Sequence, residues 1–215
     1  DLATSWEQSS DGLEWVFNLR DGVKWSDGVA FTCADAKWSL DSIRTGEGLK
    51  RSPAATHFLA IDLITCADDQ TMVISLNKPK ASLLTVIGLP FNTIRPKHIY
   101  ENNFDLLRET PPDVGTGPFT VSEFIPGEKM VFERNSDYWN QPFPYLDGVN
   151  LQILSTQSIT TALRAGRLDF GAFQGYNGAK LQTLQQECSA CVFYDKIVNP
   201  SFNDVVMINH LRAPW

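Results

Sequence analysis

Leu13, Trp15, Phe17 and Leu19 are apolar at every second position, with Glu14, Asn18 and Arg20 among the polar residues between and after them. A period of two predicts a strand with one face buried. Three Asp-Gly pairs, Asp11-Gly12, Asp21-Gly22 and Asp27-Gly28, punctuate this region and suit tight turns that need a positive φ. The period then lengthens. Cys33, Ala36, Leu40 and Ile43 form a helical stripe that begins after Thr32, whose hydroxyl and the Asp35 carboxylate together make a capping box. Gly46 and Gly48 stop that helix.

Strands are expected over 60–65 and 71–76, joined by the polar turn Asp68-Asp69-Gln70. A helix is expected over 80–87, and Pro96 opens a short one carrying His98 and Tyr100. Thr110-Pro111-Pro112-Asp113 reads as a stiff linker and marks a domain boundary between 1–112 and 113–215. Beyond it, 119–124 and 130–134 form a hairpin around Pro126-Gly127-Glu128, and 149–154 is another strand. Residues 155–165 form a helix with Gly166 at its C-terminal end. Residues 168–172, 191–195 and 205–209 read as strands, and 180–186 as a helix. Strand–helix–strand order predicts a mixed sheet with helices packed on it, hence a mixed α/β fold.

Composition narrows the function classes. The net charge of −7, with no basic stripe, disfavours nucleic acid, whose phosphates need clustered Lys and Arg. The longest apolar run, 83–90, is broken by Thr85 and Gly88, far short of the roughly 20 residues that span a bilayer. The opening Asp1-Leu2-Ala3 runs straight into patterned sequence, as at a processed or truncated start, so the lack of a signal peptide is silent on compartment. Cys33, Cys66, Cys188 and Cys191 suit two disulfides in an oxidising compartment and equally suit four buried thiols. Cys188-Ser-Ala-Cys191 has metal-ligand or redox spacing, but no second Cys pair or nearby His completes a zinc site.

Catalytic templates are not found: no Gly-x-Ser-x-Gly elbow, no His-Glu-x-x-His helix and no Gly-x4-Gly-Lys loop. His57, His98 and His210 stand singly, and Asp68-Asp69 falls in a turn where solvated charge explains it. No catalytic residue, metal ligand or cofactor is therefore expected. Of the six Trp residues, Trp15 and Trp38 lie on core-facing patterns, and most of the six belong to the core rather than to a ligand groove.

A run of segments in fixed order resembles the family 5 extracellular solute-binding proteins of ABC importers. The first block is Leu2-Ala3-Thr4-Ser5-Trp6-Glu7, then Leu19-Arg20-Asp21-Gly22-Val23-Lys24-Trp25-Ser26-Asp27-Gly28 and Phe31-Thr32 with Asp35. The second is Gly115-Thr116-Gly117-Pro118-Phe119, Glu133-Arg134-Asn135, Asp137-Tyr138-Trp139 and Pro144-Tyr145-Leu146-Asp147. Ala162-Leu163, Ala165-Gly166 and Leu168-Asp169 resemble a third. The glycines of the Gly-Thr-Gly-Pro run are expected to let the chain cross between lobes at unusual backbone angles.

The resemblance implies part of a periplasmic-binding-protein-like fold that closes on its ligand by hinge motion. Residues 1–112 would be an accessory domain and 113–215 the middle of the first ligand-binding lobe, without the opposing lobe. It implies a monomeric, periplasmic or extracellular protein, free or lipid-anchored, that hands a short peptide to a membrane permease and does not touch nucleic acid. Nickel complexes, oligosaccharides and opine-like compounds are alternative ligands. A secreted hydrolase and a signalling receptor lobe are further alternatives with no residues that favour them. Asn209, at the end of a strand that resembles the family's cleft strand, offers a donor and an acceptor to a peptide backbone, although a turn-forming Asn explains it equally well. Gln174, Tyr176 and Asn177 in a loop after a strand end, and Phe202 in a similar segment, complete the candidate ligand-binding set.

Overall fold

The alternating residues at 13–19 do form a strand, β2 (Glu14–Leu19), with Trp15, Phe17 and Leu19 turned into the core. The computed structural model describes residues 2–46, 53–89, 92–106, 113–173, 186, 191–194 and 205–209. Preceding β2 is β1 (Ala3–Gln8), paired antiparallel to it but exposed along almost its whole length. Helix α1 (Cys33–Thr45) starts at the expected capping box and ends at Gly46 in left-handed backbone, φ 72°. A 3-10 helix (Pro53–Phe58) leads to β3 (Ile61–Cys66) and β4 (Thr71–Leu76), and the sheet order is β1-β2-β4-β3 with antiparallel pairings throughout.

Leu40 of α1, Phe58, Ile64 of β3 and Ile74 of β4 are wholly buried, and Trp25 almost so, between helix and sheet. Such close-packed burial is worth about 1.5–3 kcal/mol per large apolar side chain. The helix expected over 80–87 is confined to α2 (Leu83–Ile87), because the chain turns after Pro79 and the Leu83 amide closes only a tight turn onto the Lys80 carbonyl. The short helix after Pro96 is α3 (Lys97–Tyr100).

The hairpin β5 (Phe119–Ile125) and β6 (Lys129–Arg134) forms as expected, with Gly127 at φ 75° in its turn. Strand β7 (Gly148–Gln152) completes the order β5-β6-β7. It enters one residue early and stops two residues short of the expected 154, since Ser155 is already spoken for as the cap of the next helix. A Cβ on Gly148 would lie 2.5 Å from the Phe132 carbonyl oxygen, so only glycine lets the backbones approach here.

Helix α4 (Thr156–Arg164) is capped by Ser155, whose hydroxyl accepts from the Ser158 amide, and buries Ala162 and Leu163. It lies against β8 (Phe170–Phe173), which forms a sheet of order β8-β10-β9 with β9 (Cys191–Tyr194) and β10 (Val205–Asn209). Both pairings onto β10 are antiparallel, so β8 and β9 run parallel to each other without touching. The mixed sheet expected from chain order is thus antiparallel in its described pairings, because the last strand inserts between the earlier two. The helix expected over 180–186 falls on residues of which all but 186 lie outside the described ones.

The chain divides into two compact units, residues 1–151 and 152–215. The boundary expected near 112 lies within the first of them.

Candidate ligand-binding surface

The two halves of the first unit meet through the residues singled out in the sequence. Asp11, Asp21 and Asp27 fold their turns as expected. Asp11 accepts from the Leu13 amide at 3.0 Å, Asp21 from the Gly22 amide at 2.8 Å and Asp27 from the Val29 amide at 3.1 Å. The following glycines, Gly12, Gly22 and Gly28, all take positive φ. The Asp27 turn then holds the Gly-Thr-Gly-Pro crossing. The Ser26 amide donates to the Gly115 carbonyl at 2.9 Å, and the Gly115 amide donates back to the Ser26 hydroxyl at 3.2 Å.

Gly115 and Gly117 themselves are not in left-handed backbone, and a Cβ on either would meet nothing closer than 3.9 Å. The unusual angles expected there are not found. The crossing is fixed by hydrogen bonds, including the Asn135 side-chain amide to the Gly117 carbonyl at 2.9 Å and the Asn135 backbone amide to Pro118 at 2.9 Å. Arg20 of the first sequence block also lays its guanidinium 4.3 Å from the ring centre of Trp139 of the second. The blocks that sequence reading treated as separate signatures are two sides of one seam.

Titratable groups in the first unit are shifted for local reasons. Ser9 and the Leu13 amide lower the Asp11 carboxyl, and the Gln70 amide and Thr71 lower Asp68. Burial alone would raise Asp27, but the His98 hydrogen bond, the Val29 amide and the His98 charge outweigh it and hold the carboxyl below its usual range. His98 Nε2 lies 2.7 Å from Asp27 Oδ2, so this histidine clasps a turn to α3. Burial, helped by the Asp113 charge, raises Tyr100. These are the shifts of turns and clasps.

A groove of about 770 Å³ runs along α1 and α3, with Lys37, Trp38, Asp41, Arg44, Lys97 and Phe104 among its lining. Trp38 and Phe104 stack with centroids 5.5 Å apart. Lys37 and Arg44 share Asp41 as their ion-pair partner, and Lys97 pairs with Glu101. Among the described residues, no group of three His, Cys, Asp or Glu side chains is placed to hold a metal ion, and no helix is long and apolar enough to cross a membrane.

The second unit contains the candidate residues from the sequence. Asn209 is the last residue of β10 and pairs with Cys191, while Val205 at the other end pairs with Phe173. Four residues of strand separate these ends by roughly 13 Å. Gln174, Tyr176 and Asn177 follow Phe173 in sequence and Phe202 precedes Val205, but all four lie outside the described residues. The register therefore places Asn209 at one end of the sheet, and the strand ends leading to the other four candidates at the opposite end. Strand β10 has both edges taken, so an extended ligand pairing by backbone would have to add to β8 or β9.

Comparison with known proteins decides what this architecture belongs to. The family model of the bacterial extracellular solute-binding proteins, family 5 Middle, matches residues 1–214. The chain is a family 5 solute-binding protein. Among family relatives, the periplasmic oligopeptide-binding protein OppA of Escherichia coli K12 is 26% identical over 95% of this chain and 42% of its own. In structure, DppA of Helicobacter pylori, solved with the peptide STSA, matches with a TM-score of 0.76 at 28% identity, over 90% of this chain and 41% of its own. MoaA of A. tumefaciens R10, solved with mannopinic acid, matches with a TM-score of 0.78 at 30% identity, over 91% of this chain and 38% of its own. The chain spans about two-fifths of the length of these relatives. The matches bear out both the mixed α/β reading and the partial periplasmic-binding-protein-like fold expected from the sequence.

Proposed function

We propose that this chain forms part of the solute-binding component of an ABC importer and that the ligand is a short peptide. The observation that carries the reading is the match of the family 5 model across residues 1–214, together with peptide-binding relatives such as OppA and the peptide-bound DppA. The protein would act without catalysis, as a monomer in the periplasm or outside the cell, free or lipid-anchored, and would deliver its ligand to a membrane permease. Residues 1–112 would be the accessory domain and 113–215 the middle of the first ligand-binding lobe. Enclosure on two sides is how such a cleft gains affinity, so Asn209, Gln174, Tyr176, Asn177 and Phe202 would supply one wall and a second lobe the other.

An opine-like ligand is the second reading, favoured by the equally close structural match to MoaA, solved with mannopinic acid. Titration of the full-length gene product by calorimetry, with di- to pentapeptides, mannopinic acid, a nickel–histidine complex and an oligosaccharide, separates these. Peptide binding at micromolar or tighter Kd, weakened about tenfold or more by Asn209→Ala, is the expected result. Saturable binding of mannopinic acid with none of the peptides would replace the peptide reading by the opine one.

A further inference from the structure

We propose that oxidation of Cys33 and Cys66 to a disulfide is the step that commits the first unit to its folded state, which makes this region's stability conditional on an oxidising compartment. The proposal is independent of the ligand. Cys33 opens α1 and is wholly buried, Cys66 ends β3 and is exposed, and their Cα atoms are 5.8 Å apart across the bond that joins them. That bond ties the first residue of the helix to the last residue of β3, and it adds to the core around Leu40 and Ile64 and to the Arg44 side chain's hydrogen bond to the Asp62 carbonyl at 3.1 Å. Strand β3 is an edge strand with only Ile61 and Ile64 buried, and its pairing with β4 is irregular between Ile61 and Leu63. Beside the disulfide, the Cys33 amide donates to the Asp69 carbonyl at 2.7 Å, so the start of α1 and the β3–β4 turn form one junction.

The chemistry suits a late, externally driven closure. In the reduced chain the accessible Cys66 thiolate attacks the disulfide of a dithiol–disulfide oxidoreductase, forming a mixed disulfide and releasing one thiolate of that enzyme. The Cys33 thiolate then attacks the Cys66 sulfur and expels the second, so two protons and two electrons leave the chain and the acceptor becomes a dithiol. Closing a loop with a sequence separation of 33 residues removes enough freedom from the unfolded chain to shift the folding equilibrium several hundred-fold. A shift of that size is a large part of an ordinary domain's stability, so the reduced unit would open several hundred times more often than the oxidised one.

The test is hydrogen exchange by mass spectrometry on the full-length gene product, with and without a phosphine reductant, read in peptides covering α1 and β3–β4. Protection there is expected to fall by two to three orders of magnitude on reduction. A Cys33→Ser, Cys66→Ser variant is expected to exchange like the reduced protein in both conditions, which separates this bond from any other cysteine chemistry. Peptide mapping of unreduced protein should recover the fragments containing Cys33 and Cys66 as one cross-linked species. Equal protection in the oxidised and reduced protein, or free thiols at both positions in protein isolated from an oxidising compartment, would overturn the proposal.

Discussion

Replacing Asp35 by alanine takes the acceptor away from two backbone amides at once. Asp35 Oδ2 accepts from the Thr32 amide at 3.0 Å, which starts α1, and Oδ1 accepts from the Lys97 amide at 2.9 Å, which starts α3. The side chain is 5% exposed, so water cannot readily stand in for it. A hydrogen bond to a charged acceptor contributes about 1.5–3 kcal/mol, and one carboxylate serves both donors, so the two contributions do not simply add. The expected loss is about 2–4 kcal/mol, a large share of the 5–15 kcal/mol typical of a domain. Asp35→Asn keeps one oxygen but turns an amide group toward the other donor, and an intermediate loss of about 1–3 kcal/mol is expected. Hydrogen exchange on the full-length gene product reads this site by site, with protection lost at Thr32 and Lys97 before the sheet amides of β2 and β4. Unchanged protection at Lys97, with a stability within about 0.5 kcal/mol of the parent, would refute the idea that one carboxylate couples the two helices.

The seam between the sequence blocks gives a second test. Arg20→Ala and Trp139→Ala, with the double variant, should show a coupling of about 0.5–1 kcal/mol by urea unfolding, whereas purely additive losses would mean the stacked pair does no more than fill space. The Asp27–His98 clasp predicts a pH effect. Because the Asp27 carboxyl is held below its usual value when folded, its contribution is complete above the unfolded value, near 4, and is lost as pH falls through the lower folded one. Asp27→Asn should therefore lower stability above about pH 5, where that contribution is complete, and flatten part of the acid limb between about pH 5 and 2. An identical acid limb in parent and variant would contradict the assignment.

Where burial is one-sided, the sequence was readable. The two-residue period at 13–19 became β2, and the Thr32–Asp35 pair with Gly46 marked both ends of α1 within a residue, since cap chemistry is local. Strand β1 was invisible because Thr4, Trp6, Glu7 and Gln8 lie on an exposed edge where no core imposes alternation. The glycines of the crossing were misread for a related reason. Their motif suggested special backbone, but the constraint comes from Ser26 and Asn135, which lie 89 and 18 residues away from the groups they hold. Cysteine spacing left the pairing open, because a separation of 33 residues in sequence says nothing about 5.8 Å in space. Of the candidate site, Asn209 could be placed on a strand end from its pattern. That the strand end at Phe173 lies beside Val205, away from Asn209, depends on the antiparallel pairing of β8 with β10, which follows only from long-range contacts.

The central claim, that the protein is a peptide carrier of an ABC importer, is most directly tested by what co-purifies with it. Full-length protein purified without added ligand, then denatured and analysed by mass spectrometry, should release a ladder of short peptides in near-stoichiometric amount. Release of one opine, sugar or metal chelate, or of no small molecule from a protein that also binds none of the peptides offered, would contradict the claim.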